Sequence, residues 1–238
     1  MNFKTNAFSG AAMLAAAAMA LMPHTLRAQD LTLDDFSTGA GKLTATSGSH
    51  TATQTGAGIV VGTRYISIVY GPGGSEFGQE SILQVRPSTT KKVPSALIWS
   101  NGFDASPLIQ LYWGPANYGD TPLNLNLSPP YDRFRVSFQG LSTNIVLSAS
   151  VWYGANTNMY AAESCGLLAS NAPFTVDIPF TTFTTTEGPI PWNAIGGLLL
   201  EFSEGSSPLN SPNLAITGFS AIPASDPAGT VTCPPPTT

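Results

Sequence analysis

Glu201 and Glu204 stand three residues apart, and Glu76 and Glu80 flank a glycine-rich turn. Two carboxylates at a fixed separation are the equipment of glycoside hydrolysis, one as acid and the other as base or nucleophile. Neither pair carries that geometry in its spacing. Strand side chains alternate, so Glu201 and Glu204 point to opposite faces, and nothing in the sequence around Glu76 and Glu80 fixes them relative to each other. Downstream of residue 28 the one histidine is His50, in the Ser- and Thr-rich stretch Thr46–Thr55. It has no companion His or Cys for a zinc site, and no Gly-x-Ser-x-Gly elbow offers it a nucleophile. The Gly39-Ala40-Gly41-Lys42 run has Leu43 where a phosphate loop needs Ser or Thr. Asp34-Asp35 admits a calcium reading, since hard cations take several oxygen ligands, but the last apolar run, Leu214 to Phe219, brings no carboxylate to complete it. The alternative is a solvated acidic strand end. No catalytic residue, metal site or cofactor is assigned.

The stronger candidate is a surface rather than a motif. In Arg133–Leu141, Phe134, Val136 and Phe138 share one face, and Arg133, Arg135, Ser137 and Gln139 share the other. In Ile145–Tyr153, Ile145, Leu147, Ala149, Val151 and Tyr153 oppose Val146, Ser148, Ser150 and Trp152. The short Ser142-Thr143-Asn144 link predicts a hairpin, which would put Arg133, Arg135, Gln139, Ser148, Ser150 and Trp152 on one outer surface. Gln110 and Tyr112 share a face elsewhere, and Glu201 opposes Leu198, Leu200 and Phe202. An aromatic platform with Arg, Gln and Glu beside it suits sugar recognition: the apolar face of the sugar stacks on the ring and the polar side chains take the hydroxyls. The ligand-binding set read this way is Trp152, Arg133, Arg135, Gln139 and Glu201. The competing reading half-buries Trp152 under a loop and pairs Arg135 with Glu201. Trp99, Trp113 and Trp192 read as core or loop plugs.

The elements that must position these residues are strands. Downstream of residue 28 the apolar residues alternate in short bursts rich in β-branched and aromatic types. The predicted strands are Leu31–Phe36, Leu43–Thr46, Tyr65–Tyr70, Ser81–Arg86, Ala96–Ser100, Leu108–Trp113, Arg133–Leu141, Ile145–Tyr153, Met159–Glu163, Phe174–Phe180, Gly197–Ser203 and Leu214–Ile222. Turn formers lie between them, such as Gly71-Pro72-Gly73-Gly74, Asn101-Gly102 and Ser128-Pro129-Pro130. About a dozen strands in one domain predict an all-β fold, a two-sheet antiparallel β-sandwich of jelly-roll type.

Met1 to Ala28 has the order of a secretory signal peptide: Lys4, then the apolar run Ala11–Met22, then Pro23 and a small residue at Ala28. The run is shorter than the roughly 20 residues a membrane span requires. The expected organisation is a signal peptide over 1–28, a β-sandwich over 29–223 and a Pro-rich tail over 224–238. The mature chain would be secreted or periplasmic, with no membrane span. Losing Lys4 and Arg27 leaves seven basic residues against fourteen acidic ones, a net charge of minus seven. Such a chain lacks the basic surface that nucleic acid needs. Cys165 and Cys233 are the only cysteines, and export predicts a disulfide between them that ties the tail to the body.

Several short pieces recur in a familiar order: Leu33-Asp34-Asp35-Phe36-Ser37, Ile59–Ile66, Leu97-Ile98-Trp99-Ser100-Asn101-Gly102, Arg133–Phe138, Phe180-Thr181-Thr182-Phe183, Ile195–Glu201 and Leu214–Ile222. In this the mature chain resembles bacterial exported jelly-roll domains of the galactose-binding-like, carbohydrate-binding-module-like kind. The resemblance implies a jelly roll. Such modules usually place an Asp in the last strand, where this chain has Thr217 and Gly218. The reading of the whole sequence is an exported, non-catalytic binding or structural module whose partner is a glycan or a cell-surface component. Its alternatives are a sandwich glycan hydrolase or lyase with an unidentified acidic pair, and a subunit of a surface assembly pairing through an edge such as Leu31–Phe36. Oligomeric state is not legible.

Overall fold

A computed structural model describes residues 28–75, 77–88, 90, 93–103, 105–114, 122–153, 159–185, 187–204 and 213–233. The signal-like segment 1–27, together with Glu76, Lys91, Lys92 and the final Pro-rich residues, lies outside them.

Fourteen strands appear in these residues. The first seven are β1 (Leu31–Asp34), β2 (Gly41–Ala45), β3 (Ser49–Thr55), β4 (Thr63–Val69), β5 (Ser81–Arg86), β6 (Ala96–Asn101) and β7 (Leu108–Trp113). The rest are β8 (Tyr131–Leu141), β9 (Ile145–Tyr153), β10 (Met159–Leu167), β11 (Phe174–Pro179), β12 (Ile195–Glu204), β13 (Asn213–Pro223) and β14 (Val231–Thr232). They form an eight-stranded sheet in the order β14-β11-β8-β13-β6-β5-β2, with β1 also on β13, and a six-stranded sheet in the order β10-β9-β12-β7-β4-β3. All pairings are antiparallel except the two-residue β14 on β11. This is the two-sheet sandwich that the alternating pattern predicts.

The apolar faces close on each other as expected. Phe134, Val136 and Phe138 of β8, Ile145, Leu147 and Val151 of β9, and Leu198, Leu200 and Phe202 of β12 are buried in one core. Trp99 and Trp113 are fully buried, and Trp192 plugs a loop by stacking on Phe180 at 4.0 Å.

The predicted hairpin is corrected. β8 pairs with β11 and β13, whereas β9 pairs with β10 and β12. Ser142-Thr143-Asn144 therefore carries the chain from one sheet to the other. Alternation fits either outcome, because a strand with one apolar face can sit beside its successor or across the core from it. Sheets pack about 10 Å apart, a gap that three residues can span. Crossing lets the apolar faces of both strands meet each other. The strand expected at Leu31–Phe36 is an edge: β1 pairs with β13 alone, apart from a single bridge from Asp34 to Ile59. β3 was not anticipated, because its Ser-His-Thr-Ala-Thr-Gln-Thr sequence has no apolar alternation and gains its place as the polar edge beside β4.

Candidate functional site

Moving β9 to the second sheet divides the five predicted ligand-binding residues. Arg133, Arg135 and Gln139 lie on the outer face of the eight-stranded sheet, and Trp152 and Glu201 on the outer face of the six-stranded one. The core separates the two groups.

The two arginines form a clamp. Arg135 donates from Nε to Asp177 Oδ1 at 2.6 Å and from Nη2 to Asp177 Oδ2 at 2.8 Å, and Arg133 Nε reaches Oδ2 at 3.0 Å. Their remaining donors reach the carbonyls of Pro223, Asp226 and Pro227. The Gly229 N–H donates to Asp177 Oδ2, and the Cys233 N–H donates to the Asp177 carbonyl. Residues 224–233 are thereby held against the outer face of β8 and β11. Arg135 pairs with Asp177, not with Glu201 as one reading of the sequence had it. Burial opposes ionisation of Asp177, but the Arg135 hydrogen bond, the Gly229 N–H and the charges of both arginines outweigh it and hold the carboxyl below its ordinary value. Cys165 of β10 is joined to Cys233 by the expected disulfide, which links the edges of the two sheets.

Trp152 and Glu201 remain, and the register of the six-stranded sheet gathers others around them. Thr51, Ser67, Gln110, Glu201, Ser148 and Ser164 are successive cross-strand partners on six neighbouring strands. They form one polar row perpendicular to the strands. Gln110 Nε2 donates to Glu201 Oε1 at 2.8 Å, Thr51 and Ser67 share a hydroxyl contact of 2.9 Å, and Ser148 and Ser164 one of 2.7 Å.

An aromatic strip runs obliquely to this row: Tyr65 and Tyr112 lie in the next row, with Leu199 and Ser150, and Trp152 and Tyr160 one register step farther out. Tyr65 is the cross-strand partner of Tyr112, and Trp152 that of Tyr160. The ring centroids of Tyr65 and Tyr112 are 6.0 Å apart, and those of Tyr112 and Trp152 are 5.5 Å apart, edge to face. Tyr160 ends the strip with its ring 60% exposed. Beyond it an open cleft of about 290 Å³ is lined by Ala162, Thr184, Thr185 and Glu187. Two glycines make room for the Tyr112 ring. A Cβ on Gly114, which has φ +150°, would lie 2.6 Å from Tyr112 Oη, and one on Gly197 would lie 3.0 Å away.

The strip is fixed from below. Arg64 and Trp113, the inward neighbours of Tyr65 and Tyr112, both bond to Asp34. Arg64 Nη1 meets its two oxygens at 2.6 and 2.7 Å, and Trp113 Nε1 donates to Oδ2 at 2.9 Å. Gln54 Oε1 and the Thr38 carbonyl take further Arg64 donors, each at 2.7 Å. The Phe36 N–H also donates to Asp34, with Phe36 at φ 52° and its ring 5.1 Å beneath the guanidinium. Asp34 is therefore neither a solvated strand end nor free for a metal ion: it is fully buried and spends both oxygens on the Arg64 guanidinium, the Trp113 N–H and the Phe36 N–H. Burial pushes its carboxyl up, against the pull of Arg64. Among the described residues no group of three or more metal-ligating side chains occurs.

Of the carboxylate pairs read from the sequence, Glu76 lies outside the described residues and Glu201 and Glu204 diverge, whereas Asp30 meets Asp226 near the strap, where burial and the Asp226 carboxyl push it up. Glu201 faces outward, whereas Glu204 Oε1 accepts from Asn101 of the opposite sheet at 3.2 Å. Glu163, whose carboxyl burial pushes up, lies on the inner side of β10 beside Thr182.

Sequence reasoning placed Trp152, Glu201, Gln110 and Tyr112 on outward faces but missed Tyr65 and Tyr160. Tyr65 opens an alternating run and Tyr160 sits next to Met159 in a strand. Only the order of strands in the sheet shows that both join the strip.

No family model matches the chain, and no curated protein matches it. Among solved structures it is similar to the family 11 carbohydrate-binding module from Clostridium thermocellum in complex with a β-1,3-1,4-mixed-linked tetrasaccharide. Identity is 12% over 82% of this chain and 96% of that one, with a TM-score of 0.44. It is also similar to the family 30 carbohydrate-binding module of a Clostridium thermocellum cellulosomal cellulase, at 10% identity over 84% and 100% of the two chains and a TM-score of 0.45. An exo-β-agarase matches at 10% identity over 83% of this chain and 25% of its own, with a TM-score of 0.41. Similarity this remote assigns no function.

Proposed function

We propose that the protein is an exported, non-catalytic glycan-binding module whose site is the outer face of the six-stranded sheet. The observation that carries the reading is the strip Tyr65, Tyr112, Trp152 and Tyr160, which crosses the strands obliquely, leaving the unbroken polar row at its Tyr65–Tyr112 end. A saccharide chain lying along the strip would stack its apolar ring faces on the aromatics. Gln110, Glu201 and the serine hydroxyls would take its hydroxyl groups. The platform is preformed, because Asp34, Arg64 and Trp113 lock two of its strands from beneath. Little ordering then has to accompany binding. The divergence of Glu201 and Glu204 favours binding over hydrolysis. In the same reading residues 1–28 direct export and are removed, and 29–223 form the binding domain. The segment from 224 is an appended strap closed by the disulfide.

The test is a pull-down of the protein on a panel of insoluble polysaccharides, with the supernatants assayed for reducing ends. Retention on a polysaccharide without release of reducing sugar is expected. Reducing-sugar release, or no retention on any of them, overturns the proposal.

A further inference from the structure

The charge around the aromatic strip is one-sided. Among the described residues no lysine or arginine lies on the outer face of the six-stranded sheet. Arg64 is buried beneath it, and Lys42, Arg86, Arg133 and Arg135 belong to the other sheet. Lys91 and Lys92 fall in sequence between β5 and β6 of that other sheet and lie outside the described residues. Carboxylates, in contrast, stand at two places along the strip. Glu201 sits in the polar row, diagonal to Tyr112 across the register. Glu187 lines the cleft next to Tyr160. The chain carries a net charge of −5.

Resting on the glycan reading, we infer that the site selects saccharides bearing free amino groups, of the polyglucosamine class, over neutral ones, and rejects uronates and sulfated glycans. The faces of the four aromatic rings carry negative electrostatic potential and attract an ammonium. Glu201 is half-buried between its neighbours, where its charge is less screened than on open surface. A protonated 2-amino group on a sugar stacked over Tyr112 lies within the reach of Glu201, and the next units toward Tyr160 come within the reach of Glu187. An N-acetyl group keeps the shape of the sugar but removes the charge. A uronate replaces attraction by like-charge repulsion, with no arginine on this face to accept it.

The experiment is isothermal titration of the protein, and of its E201Q and E187Q variants, with four tetrasaccharides: glucosamine, N-acetylglucosamine, cello- and galacturonate. They are compared at low salt and at a pH where the amine is protonated. The glucosamine tetramer is expected to bind about fivefold tighter than the cello-tetramer, as a partly exposed ion pair allows. The galacturonate tetramer is expected to bind weakest. The ratio of amino to neutral affinity should fall toward unity in E201Q, whatever happens to either affinity alone, and fall part of the way in E187Q. Measurable binding with equal affinities for amino and neutral tetramers, or a preference that survives both substitutions, overturns the inference and leaves the glycan reading standing. Absence of binding to all four overturns the inference, and the polysaccharide pull-down then decides the glycan reading separately.

Discussion

At the residue scale Arg64 and Asp34 are fully buried and bonded to each other, with Gln54, Thr38 and Trp113 taking their remaining polar groups. Removing one member of a buried pair strands the opposite charge, at a cost of about 3–5 kcal/mol, whereas replacing both with apolar groups costs far less. Arg64→Met is therefore expected to lower the urea midpoint steeply, and the double variant Arg64→Met/Asp34→Leu to recover part of that loss in the same titration. Part of this was legible in the sequence and part was not. Asp34-Asp35 stood out as an acidic dipeptide, yet the partner that explains it lies 30 positions away in a strand that reads as ordinary alternation. Trp152 and Glu201 were legible as outward-facing for a simpler reason: their immediate neighbours are apolar, and a pleated strand leaves them no other direction.

The strap from 224 to 233 sets the behaviour of the elements. It is held by Asp177 through Arg133, Arg135 and the Gly229 N–H. Because the folded carboxyl titrates below its ordinary value, its contribution is complete above the unfolded aspartate pKa of about 3.9. It is lost as pH falls through the folded value. Amide hydrogen exchange at Gly229, Thr230 and Cys233, corrected for intrinsic rates, should show protection that is steady near neutrality, begins to weaken below about pH 4 and disappears as pH falls through the lower folded value. Asp177→Asn should already show the unprotected state at neutral pH. The elements themselves follow from alternation, and all twelve predicted strands overlap observed ones, with ends shifted by about four residues at most. Their neighbours do not follow. Both β8 and β9 carry one apolar face, and that pattern is the same for a hairpin and for a crossing between sheets. What decides is the burial gained when Phe134, Val136 and Phe138 enter one wall of the core and Leu147, Ala149 and Val151 the other.

For the whole molecule, the Cys165–Cys233 bond closes the sandwich by joining the β10 edge of one sheet to the strap on the other. A cross-link spanning 68 positions restricts the unfolded chain by about 4 kcal/mol on the loop-entropy account. Denaturation with and without reductant should differ by a shift of that order in unfolding free energy, and the Cys165→Ser/Cys233→Ser variant should match the reduced protein. No helix among the described residues is long and apolar enough to cross a membrane. The two outer faces divide the work: the eight-stranded sheet is covered in part by the strap, and the six-stranded sheet presents the aromatic strip. The most direct test of this division is affinity electrophoresis in gels containing a soluble polysaccharide identified by the pull-down, comparing the protein with Trp152→Ala and Gln139→Ala. Loss of one stacking ring is worth roughly 1 kcal/mol beyond its buried area, so Trp152→Ala should lose about tenfold in affinity or more, while Gln139→Ala, on the opposite sheet, migrates as the parent does. Retarded migration that survives Trp152→Ala, or that is lost in Gln139→Ala, would contradict the placement of the site on the six-stranded sheet.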